Sequence, residues 1–166
     1  MDLIYLSLSF GPMLFTAFCL YRWFLAPRLN ELPPDVALQV LVSVHCLRFV
    51  SPISLVAGVT VPGLSAEFTM PQVVGDMSTA LFALIAISLL RSGSRHAVPW
   101  LWFVNLFGLV DLLIVAIQGV RHEFAAHVGG MFYIAVWFVP CLLVSHSALF
   151  TRLRRLGARQ VENGSA

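Results

Sequence analysis

Residues 36–58, VALQVLVSVHCLRFVSPISLVAG, decide how the rest of the chain is read. This run of 23 residues holds one formal charge, Arg48. At about 1.5 Å per residue it is long enough to cross about 30 Å of hydrocarbon as a helix. Lipid offers no partner to backbone N–H and C=O groups, so a segment in it must bond to itself. A lone strand cannot do that, and the unbroken apolar run lacks the alternation of a barrel strand.

Working outward, four more runs have the same character: residues 3–25, 73–90, 98–118 and 128–150. The chain is 59% hydrophobic and 11% charged, with a mean hydropathy of +0.88. Too few polar side chains remain to coat a water-soluble globule. The expectation is an all-α integral membrane bundle of five transmembrane helices occupying residues 1–150, with a basic cytoplasmic tail over 151–166 that frays. The intervening stretches, 26–35, 59–72, 92–97 and 119–127, are read as linkers too short for a further domain. The first run has Asp2 where a signal peptide carries basic residues, and no small-residue cleavage site precedes Tyr21, so it is read as a span.

All ten basic residues are arginine. Arg22 and Arg28 follow the first span, Arg91 and Arg95 lie between the third and fourth, and Arg152, Arg154, Arg155 and Arg159 follow the fifth. Those positions share one side, which the positive-inside rule makes cytoplasmic. The other side carries Asp2, Glu67 and Glu123 against Arg121. The N-terminus is therefore expected outside and the C-terminus inside. A basic rim favours anionic lipid, and the formal net charge of +2 gives no further support to a nucleic-acid partner.

An ionisable side chain at the bilayer centre costs about 2.5 to 3.5 kcal/mol on insertion scales, so each one needs a partner or a task. Arg48 is the thirteenth residue of its span from the basic side and Asp111 the fourteenth of its own, a match in depth. The two are expected to pair. Asp76 is placed near the outer end of the third span, about two turns shallower, within reach only if Arg48 tilts outward. His45, Arg48 and Pro52 share an α-helical face. Pro52 has no N–H to give, so the carbonyl of Arg48 is expected to be free. Asn105, Gly108 and Asp111 trace one face of the fourth span, with Gln118 above them. Asp76, Thr79 or Ala80, Ala83 and Ala86 form a small-residue stripe suited to close helix packing. Kinks are expected at Gly11-Pro12 and at Pro140.

Other constellations fail on spacing. A haem between His45 and His146 is disfavoured by about 8 Å of expected depth difference, and no cofactor is expected. His122, Glu123 and His127 have the wrong gap for a zinc-protease helix, so no metal is expected. Cys19, Cys46 and Cys141 lie within spans without a Cys-x-x-Cys pair and are read as packing residues, with a Cys46 to Cys141 contact conceivable. No nucleotide or phosphate loop is present.

The set His45-x-x-Arg48, Gly75-Asp76, Asn105-x-x-Gly108-x-x-Asp111 and Trp137-Phe138-Val139-Pro140 resembles a pattern in small, functionally uncharacterised bacterial polytopic membrane proteins. The resemblance implies that Arg48, Asp76, Asn105 and Asp111 belong to one feature. The tryptophan-rich pattern of the five-span translocator protein family is missing.

The expected function is that of a small multi-pass protein of the bacterial inner membrane. Its Arg48, Asp111, Asp76, Asn105 and His45 would line a polar cavity for proton-linked transport or small-molecule binding. Two alternatives are a membrane enzyme on a lipid or isoprenoid substrate, with His45 and an aspartate as acid and base, and an accessory subunit whose exposed small-residue stripe docks a larger membrane partner, with a homo-oligomer as a further expectation. No catalytic residue is assigned, and the partners expected are membrane lipid and a small molecule or proton.

Overall fold

A computed structural model describes residues 3–164; Asp2, placed on the outer rim above, and the last two residues of the tail lie outside the described residues. Every regular element among the described residues is helical. Five rods are long and apolar enough to cross a membrane. The first is α1 (Leu3–Leu20), a wide π turn (Tyr21–Leu25) and α2 (Ala26–Glu31). The second begins as α3 (Pro34–Ser43) and tightens into a 3-10 helix, Val44–Leu55. The third and fourth are α4 (Ala66–Arg91) and α5 (Ala97–Arg121). After the short α6 (Phe124–His127), the fifth combines α7 (Met131–Tyr133), a π turn (Ile134–Phe138) and α8 (Val139–Gly164).

The helices outrun the apolar stretches, and the linkers shrink accordingly. Helix α4 starts at Ala66 because Ser65 caps it, its hydroxyl accepting from the Glu67 amide at 3.1 Å. Glu67 in the first turn and Arg91 in the last suit the helix dipole. Pro27, expected in a linker, lies inside the first rod, and the π turn falls just before it, where the Ala26 amide donates to the Tyr21 carbonyl. Helix α8 runs through the basic segment expected to fray and ends at Gly164. Helix α1 continues through Pro12, whose carbonyl accepts from the Thr16 hydroxyl at 2.8 Å. The expected irregularity near Pro140 takes the form of the π turn just before it.

The core of the bundle has a solid half and a hollow half. At the arginine-rich end, Leu38, Leu41 and Val42 of α3, Leu101 and Val104 of α5, and Leu149 and Leu153 of α8 pack into one buried cluster. Ala80, Ala83 and Ala86 on α4 are fully buried and let its neighbours approach closely. The stripe serves internal packing and is not exposed to dock a partner. Across this end, Arg152 donates to the Asn30 side chain at 2.9 Å and joins the first and fifth rods.

At the opposite end, two connecting segments pair by backbone. The Val61 amide donates to the His127 carbonyl at 3.1 Å, and the Gly130 amide to the Val59 carbonyl at 2.6 Å. Gly129, with φ of 49°, is required there, since a Cβ would meet the Val59 carbonyl. His127 Nδ1 lies 3.2 Å from the Glu123 backbone carbonyl. The cysteines are free, and Cys141 is exposed.

Candidate functional site

The 3-10 stretch determines the geometry of the site. With about three residues per turn, side chains spaced by three eclipse one another. His45, Arg48, Ser51 and Ser54 therefore form a single buried column. Pro52, expected on that face from α-helical spacing, falls off it. In an i to i+3 ladder the carbonyl deprived by Pro52 is that of Phe49, not that of Arg48. Both corrections have one cause, the tighter winding of the segment.

Arg48 is 0% exposed and stands at the centre. Its Nη1 lies 2.7 Å from Asp111 Oδ2 and 3.3 Å from Asp76 Oδ1. The same nitrogen is 3.2 Å from the Thr79 hydroxyl, and Nη2 donates to the Gly108 carbonyl at 3.0 Å. The expected Arg48 to Asp111 pair is present, and Asp76 joins it without an outward tilt. The expectation set Asp76 near the outer end of its span, but that end lies seven residues further out, at Ala66, which makes Asp76 eleventh of 26. Measured along the helices from the arginine-rich end, Arg48, Asp76 and Asp111 all lie about 21 to 23 Å in.

From Asp76 the network runs outward. Gln72 Nε2 donates to Asp76 Oδ2 at 2.7 Å, and Gln72 Oε1 lies 3.2 Å from the Ser54 hydroxyl. Toward the solid half, Asn105 meets His146 Nδ1 at 2.8 Å, so it enters the feature through a histidine instead of through Arg48. His146 and His45 are in ring contact, with centroids 4.1 Å apart. The depth gap expected between them does not exist, because α8 continues well past Phe150 and the count from that residue started too far inside. His146, Thr79, Gln72, Ser51 and Ser54 were missed as site residues. The signal that could have found three of them was a period of three running on from His45 and Arg48 through Ser51 and Ser54, with Gln72 one helical turn before Asp76.

Two glycines make room for this arrangement. A methyl group at Gly75 would overlap the Asp111 carboxylate. One at Gly108 would lie 2.8 Å from Thr79 Cγ2 and 2.9 Å from His146 Cε1.

Above the cluster, in the hollow half, is a chamber of about 400 Å³. Its polar lining is Arg48, Ser51, Ser54, Gln72 and Asp76 with Ser7; Phe10, Phe68, Phe124, Phe138 and aliphatic residues complete the walls. The wide π turn contributes Ile134, Ala135 and Phe138. Among the described residues, the Ser51 hydroxyl and Arg48 Nε are buried without a hydrogen-bond partner, and both residues line this chamber. His45 and Asn105 do not line it.

The profile of a domain of unknown function, DUF8737, matches residues 4–154. No curated protein and no solved structure matches the chain.

Proposed function

The chain belongs to the DUF8737 family, and from the chemistry of its site we propose that it binds a small, oxygen-bearing lipophile within a membrane and couples that binding to a proton. The chamber carries this reading. A concave, mostly apolar space of this size, with a few convergent polar groups at one end, suits a lipophilic molecule with one polar head. The unpartnered Arg48 Nε supplies a donor, and the Ser51 hydroxyl can donate or accept. A carbonyl or hydroxyl head satisfies both and recovers the cost of leaving buried polar groups unpaired.

The proton enters through charge. One guanidinium faces two carboxylates, so the cluster carries one acid beyond what Arg48 neutralises. Hydrocarbon penalises an unbalanced charge, and a proton is the smallest cation that removes it. Asp76 lines the chamber, so a ligand arriving there meets the acid directly. Five apolar rods support insertion in a membrane, and by the positive-inside rule the arginine distribution favours the cytoplasmic side of a bacterial inner membrane for the solid half.

The experiment has two arms. Purified protein is titrated with N-phenyl-1-naphthylamine, a neutral lipophile that fluoresces in apolar pockets. Wild type should bind it saturably, and Ala116→Trp, which fills the chamber, should abolish the signal. In proteoliposomes with an internal pH dye, wild type should pass protons faster than protein-free vesicles, and Asp76→Asn and Asp111→Asn should slow that flux. Equal signals from wild type and Ala116→Trp sink the chamber; proton traces identical to empty vesicles sink the coupling.

A further inference from the structure

A second cavity, a groove of about 800 Å³, lies between the first and fifth rods on the arginine-rich side of Gly11. Leu14, Phe15 and Phe18 form one wall and Leu143, Val144 and Ala148 the other. Toward the end of the bundle the lining turns cationic, with Arg22, Arg152 and Arg155, and no Asp or Glu is among its lining residues. Arg152 is already oriented by its bond to Asn30, while its Nε is buried without a partner among the described residues.

The first rod lies at the edge of the bundle and packs mainly against the fifth. In its most apolar 18-residue window 6% of residues are buried, against 39% in the second and fifth rods. The groove opens along that seam, an apolar slot ending in three guanidinium groups.

We propose that the groove holds one anionic phospholipid from the leaflet on the arginine-rich side, its acyl chain along the Leu14 and Leu143 walls and its phosphate at Arg22, Arg152 and Arg155. Guanidinium forks match phosphate oxygens in bidentate geometry, and each basic side chain near the headgroup layer adds to the attraction. A zwitterionic headgroup brings its own cation into a site without an acid to receive it. A free phosphate would satisfy the arginines but leave the apolar walls uncovered. The lipid meets both requirements at once and acts as a filler between the first rod and the rest of the bundle.

The test uses delipidated full-length protein in maltoside detergent, followed by native mass spectrometry and thermal unfolding. Phosphatidylglycerol, phosphatidylcholine with the same chains, and inorganic phosphate are added in separate series. The expected result is a one-to-one phosphatidylglycerol adduct, at least about tenfold tighter than phosphatidylcholine, with a raised Tm that phosphate alone does not reproduce. Arg152→Gln combined with Arg155→Gln should bring phosphatidylglycerol down to the phosphatidylcholine level and leave N-phenyl-1-naphthylamine binding in the other chamber unchanged, which shows the variant is folded. Equal affinity for the two lipids overturns the proposal. So does full stabilisation by inorganic phosphate, or a double variant that keeps its lipid preference.

Discussion

Arg48 has two acids within reach, and the consequences of losing any one of the three are unequal. Asp111→Asn or Asp76→Asn leaves a one-to-one ion pair and should cost about 1 to 2 kcal/mol in reversible unfolding in mixed detergent. Arg48→Gln leaves two largely covered carboxylates without their cation and should cost about 3 to 5 kcal/mol. The combined Asp76→Asn and Asp111→Asn variant should cost as much, since it strands the guanidinium. Equal losses for all single variants would mean that the acids do not share the cation. Gly75 gives an independent check. Gly75→Ala pushes a methyl into the Asp111 carboxylate and should destabilise by about 1 to 3 kcal/mol. With Asp111→Ala already present, most of that loss should vanish in a double-mutant cycle, and additive losses would place the strain elsewhere.

At the scale of one element, the 3-10 segment is the unusual feature. Runs beyond three or four residues are uncommon, yet this one covers twelve. It rises about 24 Å where an α-helix would rise about 18 Å, and it returns to the same face every three residues. Arg48 and Ser54 align only because of that winding; as an α-helix the segment would carry Ser54 about 120° away from the Arg48 face. Pro52 costs one hydrogen bond in either winding, but its ring clashes with the i−4 carbonyl of Arg48 in an α-helix, which helps to hold the state. Pro52→Ala should relax the segment toward α-helix, breaking the Ser54 to Gln72 contact and weakening N-phenyl-1-naphthylamine binding about tenfold with helical content kept by circular dichroism. Unchanged binding would show that the winding is held by packing against α4 alone. This element was also the least legible in sequence, because residues 44–55 read equally well at periods of 3.0 and 3.6.

For the whole molecule, the separation of a solid half from a hollow half gives the two rims different chemistry. The arginine-rich rim closes over a packed core, and the opposite rim, where residues 59–61 pair with 127–130, closes over the chamber. If the positive-inside rule governs insertion, alkaline phosphatase fused after Gly63 should be active, and fusions after Gly93 or Ala158 inactive. The reverse pattern would turn the chamber toward the cytoplasm and change which side supplies its ligand.

The five long apolar helices were legible because each depends on a property of its segment alone: an apolar run of sufficient length must bond to itself in hydrocarbon. The Arg48 and Asp111 pairing was legible for a related reason, as a buried charge demands a countercharge at its own depth. Other features lay beyond such reasoning. Asp76 was set too shallow because α4 starts at the Ser65 cap, seven residues earlier than hydropathy suggested, and His146 too near the rim because α8 runs on through polar chain, both at helix ends where hydropathy stops informing. The chamber and the 3-10 winding arise only when five rods are set against one another, because a cavity is a relation between surfaces and the choice between two close helical periods is made by the neighbours a face must meet.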